Sequence, residues 1–141
     1  MLYTWDVFLE EADSDAPAQW IGTTQADTMG QALEKAAQFY EHPSHDLVVK
    51  QQPTSAEQWD AQAIEKAVDQ APQDMIATPV RSTGARLYSK KNVVGSDLIV
   101  QGLRWYVEVD LINLNDETTA AALYRVWHEQ GQWKAVRVEL Y

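Results

Sequence analysis

The chain has 141 residues, 45% of them hydrophobic and 23% charged, with a formal net charge of −10. That balance suits one soluble domain or two small units, and a chain of this length can bury about two-thirds of its unfolded surface. The absence of cysteine removes disulfides, thiolate nucleophiles, iron–sulfur clusters and cysteine zinc sites together.

The elements follow from hydrophobic spacing. In Leu2–Glu10, Tyr3, Trp5, Val7 and Leu9 alternate with polar positions, which predicts a half-buried strand. An acidic, Pro-bearing loop over Glu11–Pro17 leads to a second strand, Gln19–Gln25, as hairpin partner. Asp27 is placed to cap a helix with the stripe Met29, Leu33, Ala36, Ala37 and Tyr40, running to about Glu41 and stopping before Pro43. Asp46–Gln51 predicts a short third strand. Residues 1–52 therefore form a strand–strand–helix–strand unit.

Pro53 opens a second unit over residues 54–141. Ser55 and Gln58 have capping-box spacing, followed by the stripe Trp59, Ala63, Ala67, Val68 and Ala71 on a helix that Pro72 ends. Its other face, including Asp60, reads as solvated. Strands are expected at Met75–Val80 and Arg86–Val94, separated by Ser82-Thr83-Gly84. A turn at Gly95-Ser96-Asp97, an extended run at Leu98–Val100 and a bulge or turn at Gly102 precede a strongly alternating strand, Leu103–Leu114. Ala120–Glu129 and Gln132–Tyr141 form a hairpin closed through Gln130-Gly131. The fold class is α+β: a ββαβ unit, then a helix and a curved antiparallel sheet of four or five strands, two units or one compact domain.

The terminal hairpin allows side chains to be placed. A two-residue turn sets Glu129 opposite Gln132, His128 opposite Trp133, Val126 opposite Ala135 and Tyr124 opposite Arg137. Leu123, Trp127, Val136, Val138 and Leu140 then make the expected core face, continuing Leu103, Trp105, Val107, Val109 and Leu111. The other face would collect Tyr106, Glu108, Asp110, Tyr124, His128, Trp133 and Arg137. Two carboxylates, an imidazole, a guanidinium and three rings on one face form a candidate ligand site, with the imidazole able to exchange a proton near neutral pH. A solvated sheet face with ordinary cross-strand ion pairs is the alternative. No catalytic residue is assigned. His42 and His45 flank Pro43 in a loop and are not assigned to a metal, Lys90-Lys91 reads as a solvated turn, and no cofactor is expected.

Charge is uneven along the chain. Residues 1–80 hold 14 acids and three bases, net −11; residues 81–141 hold seven acids and eight bases, net +1. The first part cannot supply the clustered cations that phosphate backbones require, so no nucleic-acid partner is expected. No run approaches the roughly 20 apolar residues of a membrane span, and Met1–Glu11 has no basic or apolar leader pattern, so a cytoplasmic protein with no membrane partner is expected.

Two resemblances add expectations. Trp5-Asp6-Val7-Phe8-Leu9, Ile21-Gly22, Ala26-Asp27, Ala32-Leu33, Ala36, Tyr40 and Leu47-Val48-Val49 resemble the small structural subunit of phenylacetyl-CoA oxygenase complexes, which implies a non-catalytic role in an assembly. Residues 54–141 are similar in element order to cystatin-like and nuclear-transport-factor-like cones, including the Tyr124-Arg125-Val126 and Gln132-Trp133-Lys134-Ala135-Val136 hairpin. Such cones serve as binders, enzymes and assembly domains. Three functions follow: an accessory module binding a protein partner or a second copy, a small-ligand cone with or without enzymatic activity, and an immunity-type inhibitor of a cationic partner.

Overall fold

A computed structural model describes residues 1–11, 15–75, 77–94 and 101–140. The fold is α+β, and the chain divides into two compact units, Met1–Thr54 and Ser55–Tyr141. Among the described residues no helix is long and apolar enough to cross a membrane.

In the first unit, β1 (Tyr3–Leu9) runs between β2 (Gln19–Ala26) and β3 (Leu47–Gln51), antiparallel to both. Trp5 and Val7 project from one face into a core with Leu47, Val49, Ala26, Ala32 and Ala36. Helix α1 (Met29–Tyr40) supplies the two alanines. Its cap is Thr28 rather than Asp27: the Thr28 hydroxyl accepts from the Gln31 N–H at 3.2 Å, and Asp27 stands one residue too early. Met29, expected in the apolar stripe, is 55% exposed, and the buried residues of the helix are Ala32 and Ala36. A single 3-10 turn at Ser44–Asp46 shortens the expected third strand by one residue.

The outer strand β2 leaves alternate carbonyls facing away from the sheet. Two of them are occupied by α1: the Tyr40 hydroxyl donates to Thr23 O at 3.1 Å, and the Lys35 ammonium to Gln25 O at 2.9 Å. Gly22 makes that approach possible. A Cβ there would lie 2.0 Å from the Tyr40 oxygen.

In the second unit, α2 (Ala56–Asp74) packs on a four-stranded antiparallel sheet in the order β4 (Val80–Val94), β5 (Gln101–Asn113), β6 (Thr119–Glu129), β7 (Gln132–Leu140). Ser55 caps α2 through a bond from the Gln58 N–H. Ala63, Ala67 and Ala71, all fully buried, bring the helix close to Trp105, Val107, Val109, Leu111, Tyr124 and Val126. Pro72 does not end the helix as expected. It lacks the N–H that would satisfy Val68 O, and the Ser82 hydroxyl donates to that oxygen instead at 2.9 Å.

Met75 belongs to the helix end, its N–H bonded to Pro72 O, and not to a strand. The expected break at Ser82-Thr83-Gly84 is a bulge inside one continuous β4, with a second between Leu87 and Ser89. Likewise β5 runs through Gly102, which pairs with Val93. The turn expected at 95–97 and the extended run at 98–100 lie outside the described residues. The terminal hairpin has the expected register, with Gln130 and Gly131 both at positive φ as its turn requires.

Candidate functional site

Cross-strand partners share a sheet face, so pairing decides which side chains meet. Trp105 pairs with Val126, Val107 with Tyr124 and Val109 with Ala122. Odd positions of β5 therefore share a face with even positions of β6, not with Leu123 and Trp127 as expected. The helix-facing side is Trp105, Val107, Val109, Leu111, Tyr124, Val126, Trp133 and Ala135. Val136, Val138 and Leu140, expected in the core, are 44%, 47% and 53% exposed. Leu123 and Trp127 are buried but lie on the face away from α2.

The seven candidate residues consequently separate. Tyr124, His128, Trp133 and Arg137 belong to the helix side; Tyr106, Glu108 and Asp110 belong to the other. On that other side Arg86, directly opposite Glu108, donates to both Glu108 and Asp110, the latter at 3.1 Å. The Glu108 hydrogen bond, ahead of the pull of both charges, raises the guanidinium pKa above its ordinary range. The Lys91 ammonium lies 5.4 Å from the Tyr106 ring centroid. Arg86 thus ion-pairs with part of this face, on which Arg104, Leu123 and Trp127 are buried.

On the helix side four rings converge. Trp59 of α2 stacks on Trp105 at 6.2 Å between centroids and meets Trp133 edge-on at 5.7 Å. His128 stands edge-on between Trp59 and Trp133, at 5.0 and 5.1 Å. Each of two indole N–H groups is met from α2: Trp105 donates to Asp60 at 2.7 Å, and Trp133 to Gln62 at 3.1 Å. Lys90, directly opposite Trp105 on β4, pairs with Asp60 at 3.2 Å. The Trp105 bond, with help from Lys90, holds the Asp60 carboxyl below its ordinary pKa against the opposing effect of burial. Asp60 and Lys90 thus leave the solvated roles assigned to them. Neither was identifiable as a site residue, because the cluster exists only once α2 lies across the sheet and Lys90 comes opposite Trp105.

At the other end of α2, the Tyr124 hydroxyl donates to Asp74 Oδ2 at 2.8 Å, and the Gln70 amide donates to Oδ1 at 2.8 Å. Burial of the phenol, then its bond to Asp74, pushes the Tyr124 pKa well above its ordinary value, while Arg137 opposes the shift. Next to this pair is a half-open cavity of about 320 Å³ lined by Met75, Val80, Leu111, Leu140, Arg137 and Asn113 among others.

Among the described residues no group of His, Asp and Glu side chains could hold a metal ion. Comparison with known proteins gives no matching family model, no matching curated protein and no matching solved structure.

Proposed function

We propose that the chain is a small acidic cytoplasmic accessory protein that works without catalysis, by binding a protein partner or a second copy of itself. The observation that carries this reading is the apolar border of the outermost strand of the second sheet, where Val136 and Val138 are about half exposed. An edge strand carrying apolar side chains is a ready surface for another chain. The candidate carboxylates add support. Glu108 and Asp110 are engaged by Arg86, Asp60 by Trp105 and Lys90, and Asp74 by Tyr124 and Gln70, so each is already committed inside the fold. The resemblance of residues 5–50 to a structural subunit points the same way.

The test is site-specific photo-crosslinking in the producing cell. A photoreactive residue at position 138 should give a discrete adduct, either a dimer of the chain or one partner, and Val138→Lys with the probe moved to position 136 should remove it. Crosslinking at position 138 no stronger than at Glu65, on the exposed side of α2, would overturn the reading.

A further inference from the structure

We infer that the cavity at the C-terminal end of α2 binds a small monocarboxylate with an apolar body; the cavity includes Leu140 and Arg137 of β7, but the inference does not depend on the partner binding proposed above. The cavity, about 320 Å³, is at the lower end of small-molecule sites. Its walls are apolar: Met75, Val80, Leu111 and Leu140. What decides the ligand is which polar groups at the rim still have capacity.

Asn113 is turned into its own loop, where its side-chain oxygen accepts from the Asn115 N–H at 2.8 Å. The Thr118 hydroxyl donates to Asp116 at 2.7 Å. Asp74 receives the Tyr124 hydroxyl on one oxygen and the Gln70 amide on the other. Arg137 differs from all of these. It lines the cavity opposite Tyr124 on the neighbouring strand, and among the described residues no carboxylate forms an ion pair with it. A guanidinium offers several donors and no acceptor, and its planar fork matches a carboxylate. An apolar body against Leu111 and Val80 with a carboxylate at Arg137 uses both features. An amine would face that guanidinium, and Asp74, the one acid among the described residues lining the cavity, already takes two donors.

The experiment titrates the full-length 15N-labelled chain with hexanoate, hexanol and hexylammonium at pH 7 and follows amide shifts. Hexanoate should shift Thr78, Asn113, Ala120 and Leu140 saturably and bind about fivefold or more tighter than hexanol, as one charge-assisted contact at a half-open site allows. Arg137→Gln should reduce hexanoate to the hexanol level while leaving the rest of the spectrum in place, and Arg137→Lys should restore part of the preference. Hexanol binding as well as hexanoate, a preference that survives Arg137→Gln, or shifts that do not saturate or map elsewhere would each overturn the assignment.

Discussion

Gly22 and Gly30 are both glycines of the first unit, yet their surroundings make opposite demands. Gly22 has φ +156 and stands where a Cβ would meet the Tyr40 oxygen at 2.0 Å; Gly30, in the first turn of α1, has nothing within 4 Å of such an atom. Gly22→Ala should therefore cost about 1–3 kcal/mol, through backbone strain and displacement of Tyr40. Gly30→Ala should stabilise by up to about 1 kcal/mol, since it restricts only the unfolded chain. Chemical denaturation of the two variants checks both signs.

Tyr124 provides a second contrast, in pH. Its phenol is fully buried and its folded pKa is raised, so the protonated form is favoured by folding. That contribution is complete below the unfolded value of about 10 and is lost as pH rises through the folded one. Tyr124→Phe should cost about 1–2 kcal/mol at pH 7, by leaving Asp74 Oδ2 without the phenol donor, and should flatten the loss of stability above about pH 10. Equal alkaline slopes for the two proteins would contradict this.

The α2–sheet contact is decided by where rings and alanines meet. Trp133 bridges Trp59, Trp105 and His128, although it is only partly buried. Trp133→Ala should lower stability by about 2–4 kcal/mol and diminish the near-ultraviolet dichroism of the remaining indoles. Asp60→Asn keeps an acceptor for Trp105 but loses the charge that pairs with Lys90, so it should lower stability modestly at pH 7. Because the Asp60 pKa is lowered in the fold, its charged form contributes stability above the unfolded value, and that stability is lost as pH falls through the folded one. The Asn variant should lack this acid-side loss, as equilibrium unfolding below pH 4 would show (about the ordinary carboxylate range).

The terminal hairpin was legible because a two-residue turn admits one register, and every pair from Glu129–Gln132 to Tyr124–Arg137 follows from it. The relation of β5 to β6 was not legible. It depends on the conformation of the loop between Asn113 and Thr119, and one residue of slip exchanges the two faces. Both faces carry apolar residues, so hydrophobic pattern alone did not choose between them. Only in the slipped register would Glu108 and Asp110 stand on the face of His128. The length of α2 was missed for a different reason: the Ser82 hydroxyl that makes Pro72 tolerable comes from a bulge in a distant strand.

Charge follows the division of the chain. Residues 1–54 carry nine acids and two bases, net −7; residues 55–141 carry 12 acids and nine bases, net −3. Two modes of partner binding are thereby separable by salt. Contact through the apolar row of β7 should change little in affinity between low and physiological ionic strength. Contact through the acidic first unit should weaken steeply, since exposed charges are screened beyond about 8 Å at physiological salt. Partner binding through β7 should show the first behaviour, and affinity measured against ionic strength distinguishes them.

The occupied carbonyls of β2 carry a consequence for how this protein behaves when crowded. Open strands invite stacking into fibrils, and the growing end of a fibril recruits through free main-chain acceptors. Lys35 and Tyr40 withhold two such acceptors in the first unit, whereas the β7 border of the second unit keeps its apolar row exposed. Aggregation from the native state should accordingly nucleate on the carboxyl-terminal hairpin, and a ligand covering β7 would act as a solubilising chaperone for the whole chain.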